Sequence, residues 1–266
     1  MQAKKIDLTG SQTLKSLPSE IMNADIPKPQ DNFTLKPNND NDAPPWQPTL
    51  KHKHHGMVPL DYVPTPSGSR AGTPFSDVAV GTATGTSNEK GKEREGSPNM
   101  GMTRGKTDFT KHPYYYETKH LPYPSSLFIA SPPQPVKPFA STPFTYIDTP
   151  TAYHEMVAKL QSVKELAVDL EYHSYRSYTG FLCLMQLSTR EEDYVVDLLA
   201  VRDQVWEDKL GGVLADPTVI KVFHGAESDV LWLQQDFDIY IVGLFDTYHA
   251  TKVLCEGIDS LRDLMV

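Results

Sequence analysis

Apolar and polar positions alternate most sharply in Leu166 to Tyr178, LAVDLEYHSYRSY. On a strand, residues two apart share a face, so Val168 and Leu170 turn one way while Asp169 and Glu171 project side by side the other way. The stretch therefore begins as a buried strand and ends holding two carboxylates. Before it, Thr149 and Pro150 supply a cap and a first-turn proline, and Tyr153, Met156, Val157 and Leu160 follow at helical spacing. After it, strands are predicted at 181–188 and 194–198, and the short connections imply antiparallel neighbours. A helix is predicted over 204–214, with Val205, Trp206, Leu210 and Leu214 inward, then a strand over 219–223. A helix over 227–236, a strand over 240–245 and a helix over 247–254 complete the pattern.

The order β-β-β-α-β-α-β-α predicts an α/β fold of the ribonuclease H-like (DnaQ-like) kind: a mixed five-stranded sheet with helices on its faces. The apolar residues that build it crowd into 146–266. Residues 1–107 read as disordered or extended linker, because prolines recur at Pro27, Pro29, Pro37, Pro44 and Pro45, and 64–105 is too poor in large apolar residues to offset chain entropy. Within that linker the run Lys51 to His55, KHKHH, reads as a solvated basic patch. Residues 108–145 read as an extended arm rich in proline and aromatics, with HPYYYE at its start, that packs on the domain rather than stacking on bases.

A net charge of −9 argues against a protein that holds nucleic acid by overall basicity. It leaves room for a nuclease, since an acidic metal site must itself be negative. The two cysteines, Cys183 and Cys255, fit a reduced intracellular compartment. No apolar block follows Met1 to suggest a signal peptide, and nothing is long enough to span a membrane.

Two ionised carboxylates on adjacent same-face strand positions repel by roughly 2–3 kcal/mol at an effective dielectric near 20. A divalent cation between them removes that cost, and oxygen-only ligation suits Mg²⁺ or Mn²⁺. A second acid, Asp229, falls in the first turn of the helix that follows His224-Gly225-Ala226, with Trp232 one turn later on the same face. Alone, Asp229 would simply complement the helix dipole. If the first and fourth strands are neighbours, it instead faces Asp169 and Glu171, and three carboxylates converge.

The blocks AVDLEYHSYRSY, LCLMQLSTREEDYVVD, VIKVFHGAESDVLWLQQDF and GLFDTYHATKVL resemble those of the RNase D-like 3′ to 5′ exoribonuclease subunit of the eukaryotic nuclear RNA exosome. The resemblance covers about 108–254, HPYYYETKHLPY resembles the segment leading into that catalytic domain, and 30–48 resembles the linker that follows the family's N-terminal partner-binding helical domain. It implies a DEDD exonuclease of the tyrosine type, located in the nucleus (nucleolus and nucleoplasm), with single-stranded RNA 3′ ends and the exosome core as partners. By the same resemblance Asp169, Glu171 and Asp229 are the catalytic acids and ligands of a two-metal site. Trp232 lies near the terminal nucleotide, and the backbone at Tyr172 and His173 approaches its sugar. His173 and His224 are structural rather than ligands, and Asp246, in the family's FDT turn, is a helix cap.

One family motif is missing. A tyrosine followed four positions later by an aspartate should supply a fourth ligand, yet four positions after Tyr240 and Tyr248 stand Leu244 and Lys252. The helical HRDC domain that follows in the family is also not visible, so the fold is expected to be incomplete at its C-terminal end. Two readings therefore stand side by side: an exoribonuclease, or a catalytically inactive fragment that binds RNA or protein within the exosome.

Overall fold

The computed structural model describes residues 23–35, 46–62, 111–130, 132, 135, 137–175, 177, 179–207 and 209–254. The expectations for 64–105 and for the stretch after 254 lie outside the described residues.

Six strands form one mixed sheet, β1 (Phe144–Ile147), β2 (Glu165–His173), β3 (Phe181–Ser188), β4 (Asp193–Asp197), β5 (Ile220–Phe223) and β6 (Leu244–Asp246), in the order β1-β4-β3-β2-β5-β6. The helices are α1 (Tyr115–Lys119), α2 (Pro150–Leu160), α3 (Arg202–Val205), α4 (Lys209–Ala215), α5 (Glu227–Phe237) and α6 (Thr247–Leu254). As the short connections predict, β2–β3 and β3–β4 are antiparallel. The crossovers through helices bring β5 parallel to β2 and β6 parallel to β5. Strand β2 is thus central, with β3 on one side and β5 on the other.

Alternation decides which face of β2 is buried. Leu166, Val168 and Leu170 enter the core with Leu182, Met185 and Leu187 of β3, beneath Tyr153, Met156, Val157 and Leu160 of α2 and Leu233 and Phe237 of α5. Each such side chain, removed fully from water, contributes about 1.5–3 kcal/mol. Helix α2 starts where the cap predicts, with Thr149 Oγ1 accepting from the Ala152 amide.

Several expectations need correction. The sheet has six strands rather than five, because Phe144–Ile147 ladders in parallel with β4. Only Ile147 of that strand is buried, so its pattern is too short to stand out. The helix expected over 204–214 is two, α3 and α4. The strand expected over 240–245 shrinks to β6, because Tyr240 and Val242 are buried against Tyr114 and Ala215 instead of joining the ladder.

The segments before the sheet also depart from the expected extended course. The arm turns through α1, and Tyr114 just before it is buried, its ring 5.6 Å from that of Tyr240. The basic run Lys51–His55 is not simply solvated. The Lys53 side chain is 5% exposed and pairs with Glu117 at 2.8 Å, and Glu117 Oε1 also accepts from the amides of Met57 and Val58. A buried ammonium needs such a partner, which lies 64 positions away in α1. In 23–35, Gln30 and Phe33 are buried.

Candidate active site

The exposed face of β2 carries Asp169 and Glu171, while the parallel pairing of β2 with β5 sets the direction from which the next helix arrives. At the end of β5 the chain turns through His224-Gly225-Ala226 into α5. Gly225 holds φ at +75°, a conformation that a Cβ disfavours. Asp229 follows in the first turn of α5 and is 8% exposed.

The electrostatics of Asp229 report where it points. Burial pushes its carboxyl up to about 6, and the carboxylates of Asp169, Asp246, Glu171 and Glu227 push it the same way. Asp169 is the strongest of these charges. Asp169 and Glu171 therefore both act on Asp229 across β2 and α5, and the three carboxylates form an excess of negative charge. In the orientation that satisfies both ends of its amide, Gln186 of β3 donates to Asp169 Oδ2 at 3.0 Å. Asp169, Gln186, His224 and Thr247 line a cavity of about 200 Å³.

Asp246 is a bracket rather than a member of that set. Its Oδ1 accepts from the amides of Gly225 (3.0 Å), Tyr248 (2.8 Å) and His249 (3.4 Å), and its Oδ2 accepts from Ala226 at 2.8 Å. Burial alone would raise its carboxyl, but the Ala226, Gly225, Tyr248 and His249 amides together hold it below the usual carboxylate range. One carboxylate thus ties the start of α5 to the start of α6, which is the capping role read from the sequence. His224 is likewise structural. Thr247 Oγ1 donates to the Phe223 carbonyl and so accepts from His224 Nδ1–H at 2.9 Å.

The aromatic residues divide. Tyr172 and Trp232 stack face to face, and the Tyr172 hydroxyl donates to the Thr179 carbonyl. Burial drives the Tyr172 phenol up to about 12, with Asp236 adding to the effect. His173, one residue on, packs its ring against Phe181 at 5.2 Å. Between Glu171 and Tyr172 the β2–β3 register shifts, so Tyr172 and His173 continue the ladder beyond an irregularity.

Three residues escaped the sequence reading. Gln186 supports Asp169, and Glu227 and His249 meet at 2.9 Å beside Asp246, with donor atoms of the three within 4.8 Å of one another. Glu227 and His249 are exposed, and Asp246 already serves four amides, so this trio reads as a helix-to-helix contact. Their only sequence signal is position, Glu227 lying two before Asp229 and His249 three after Asp246. A larger depression of about 680 Å³ lies at the opposite end of β2, where Glu165 pairs with Arg190 and Lys159 with Glu192. Its charges are matched, so it shows none of the excess found around Asp229.

The comparisons with known proteins agree with this geometry. The 3′-5′ exonuclease family model matches residues 144–265. The exosome complex exonuclease RRP6 of Saccharomyces cerevisiae is 46% identical over 143 residues, 54% of this chain and 19% of that protein. The exosome complex component 10 of Homo sapiens is 43% identical over 158 residues, 59% of this chain and 18% of that protein. The chain thus spans about a fifth of the length of these relatives. Among solved structures, the catalytic core of RRP6 from Trypanosoma brucei superposes with a TM-score of 0.53 at 42% identity, covering 56% of this chain and 41% of that one. Among the described residues no helix is long and apolar enough to cross a membrane. A six-stranded mixed sheet that sets an acidic strand end against an acidic helix start, together with these matches, makes residues 144–265 similar to the exonuclease domain of the Rrp6 and exosome component 10 proteins.

Proposed function

We propose that this chain acts as a 3′ to 5′ exoribonuclease of nuclear RNA processing and decay, working with the exosome core. The observation that carries the reading is the match of 144–265 to the 3′-5′ exonuclease family model, within which buried Asp229 lies in electrostatic reach of Asp169 and Glu171. Oxygen donors with excess negative charge fit a hard divalent cation, so Asp169, Glu171 and Asp229 would hold Mg²⁺ or Mn²⁺. A pair of such ions, when bound, supplies an activated water and neutralises charge developing at the phosphate.

The chain's own residues do the rest. The exposed edge of the Tyr172–Trp232 stack offers an apolar surface to the terminal nucleotide. The backbone at Tyr172 and His173, displaced by the strand irregularity, faces its sugar. Gln186 holds Asp169 by one oxygen and leaves the other for a ligand. The product of each cycle is a nucleoside 5′-monophosphate. The family names of the relatives support the exosome as partner and the nucleus, including nucleolus and nucleoplasm, as location.

The test uses single-stranded RNA labelled at its 5′ end. With Mg²⁺ the label should move through a ladder that shortens from the 3′ end, and Asp229→Asn should abolish the ladder. Internal cuts, or shortening that continues in a chelator, would exclude the reading.

A further inference from the structure

We propose that Phe33 is a positioning residue for His173, so that a segment far outside the family-matched region helps set the RNA-binding rim of the site; this rests on the exonuclease reading above. Phe33 is 7% exposed and packs where three elements meet. The guanidinium of Arg202 lies 4.4 Å from the Phe33 ring and 4.7 Å from the Phe237 ring. Arg202 is buried, and among the described residues its Nη2 alone finds a hydrogen-bond partner, the Asp236 carboxylate at 3.1 Å. The aromatic rings therefore supply much of what offsets the desolvation of its other edges. The same Asp236 oxygen accepts from the Leu182 amide at 2.8 Å, which fixes the start of β3 to the end of α5.

From this point the contacts run directly to the rim. Phe33 meets Phe181 edge to face, with centroids 5.3 Å apart and planes at 88°. Phe181 is fully buried and is the register partner of His173 across β2 and β3. Its ring packs on the His173 imidazole at 5.2 Å. The register shift at Glu171/Tyr172 falls two residues before the end of β2, and the ring packing adds to the His173–Phe181 ladder pair in placing His173. Thr34 Oγ1 donates to Asp203 Oδ2 at 2.8 Å and pins the segment beside Phe33. None of these contacts reaches Asp169 or Asp229, so Phe33 should govern how RNA is held rather than the chemistry.

The experiment compares the full chain with Phe33→Ala and Phe33→Leu, the second keeping apolar volume without a ring. The imidazole Hε1 resonance of His173, assigned by a His173→Gln variant, is followed by NMR. Cleavage of a short single-stranded oligoadenylate with Mg²⁺ gives KM and kcat. The expected result is a displaced His173 resonance and KM raised by about fivefold or more in Phe33→Ala, with kcat within about twofold and Phe33→Leu in between. An undisplaced His173 resonance with unchanged KM in a folded Phe33→Ala or Phe33→Leu would overturn the proposal, as would a loss confined to kcat. If Phe33→Ala does not fold, Phe33→Leu carries the comparison. Failure of the unaltered chain to cleave RNA would remove the exonuclease reading, and the His173 resonance would then decide alone whether Phe33 sets that ring.

Discussion

Trp232 lies flat on Tyr172, with ring centroids 4.4 Å apart and planes within 6°. The stack depends on a glycine. Gly180 has φ of +72°, and a Cβ there would fall 2.4 Å from Tyr172 Cε1. Gly180→Ala should therefore lift Tyr172 off Trp232 at a backbone position that already disfavours a side chain. The Trp232 fluorescence should change, and RNA should bind several-fold more weakly. Unchanged emission with unchanged affinity would mean that the ring accommodates the methyl group and that the stack does not support RNA.

Asp229 gives the metal-free protein a pH signature. Its carboxyl, at about 6 instead of 3.8, binds protons in the native state that the unfolded chain has already released. Stability should therefore fall as pH rises through the window from about 4 to about 6, and stay lower above it. The shift corresponds to at most about 3 kcal/mol. In a chelator at pH 7, Asp229→Asn should melt at a higher temperature than the unaltered chain, with the difference vanishing below about pH 4. Added Mg²⁺ should raise the melting temperature of the unaltered chain more than that of the variant. A variant less stable than its parent in the chelator at pH 7 would contradict this account of the charges.

Asp246→Ala removes the acceptor of four amides at once. A capping loss alone costs about 0.5–2 kcal/mol, and here two helix starts lose their cap together. Amide exchange at Gly225 and Ala226 should accelerate, and Mn²⁺ affinity should weaken because Asp229 loses its fixed helix start. Full loss of Mn²⁺ binding with unchanged exchange at Gly225 would instead make Asp246 a direct ligand.

The buried Arg202–Asp236 pair predicts a large asymmetric effect. Asp236→Asn keeps an acceptor for the Leu182 amide but leaves the guanidinium without a counter-charge, a loss of about 3–5 kcal/mol. Urea denaturation measures it directly. A change below about 1 kcal/mol would mean that water or the aromatic rings satisfy Arg202 without Asp236.

How legible each part was depends on the range of the interaction behind it. Asp169 and Glu171 stood out because strand alternation is local, and α2 because its cap and apolar face lie within a dozen positions. The antiparallel run of β2, β3 and β4 followed from connection lengths, whereas the pairing of β2 with β5 followed only from the expected architecture. Strand β1 was invisible because its partner lies 49 positions on and three of its four residues face solvent. Tyr240 and Val242 mimicked a strand because the burial that places them comes from Tyr114 rather than from a ladder. Lys53 looked solvated because nothing near it in sequence announces Glu117. Asp229 was found only through the fold, since a carboxylate in a first helical turn carries no signal of its own, and the mutual charge that marks it needs the assembled sheet.

The contact of Tyr114 with Tyr240 has a bearing on where the folding unit ends. The match to the family model begins at residue 144, but Tyr114, with Leu50 and Leu121 beside it, packs against Ala215, Tyr240 and Val242 inside the matched region. A chain trimmed to the alignment boundary would leave Tyr240, Val242 and Ala215 wet and Arg202 without Phe33, so it should lose cooperativity before it loses any acidic residue. Selection on the earlier segments then acts through the stability of the sheet domain itself, and substitutions there belong with core mutations rather than with those of a spacer.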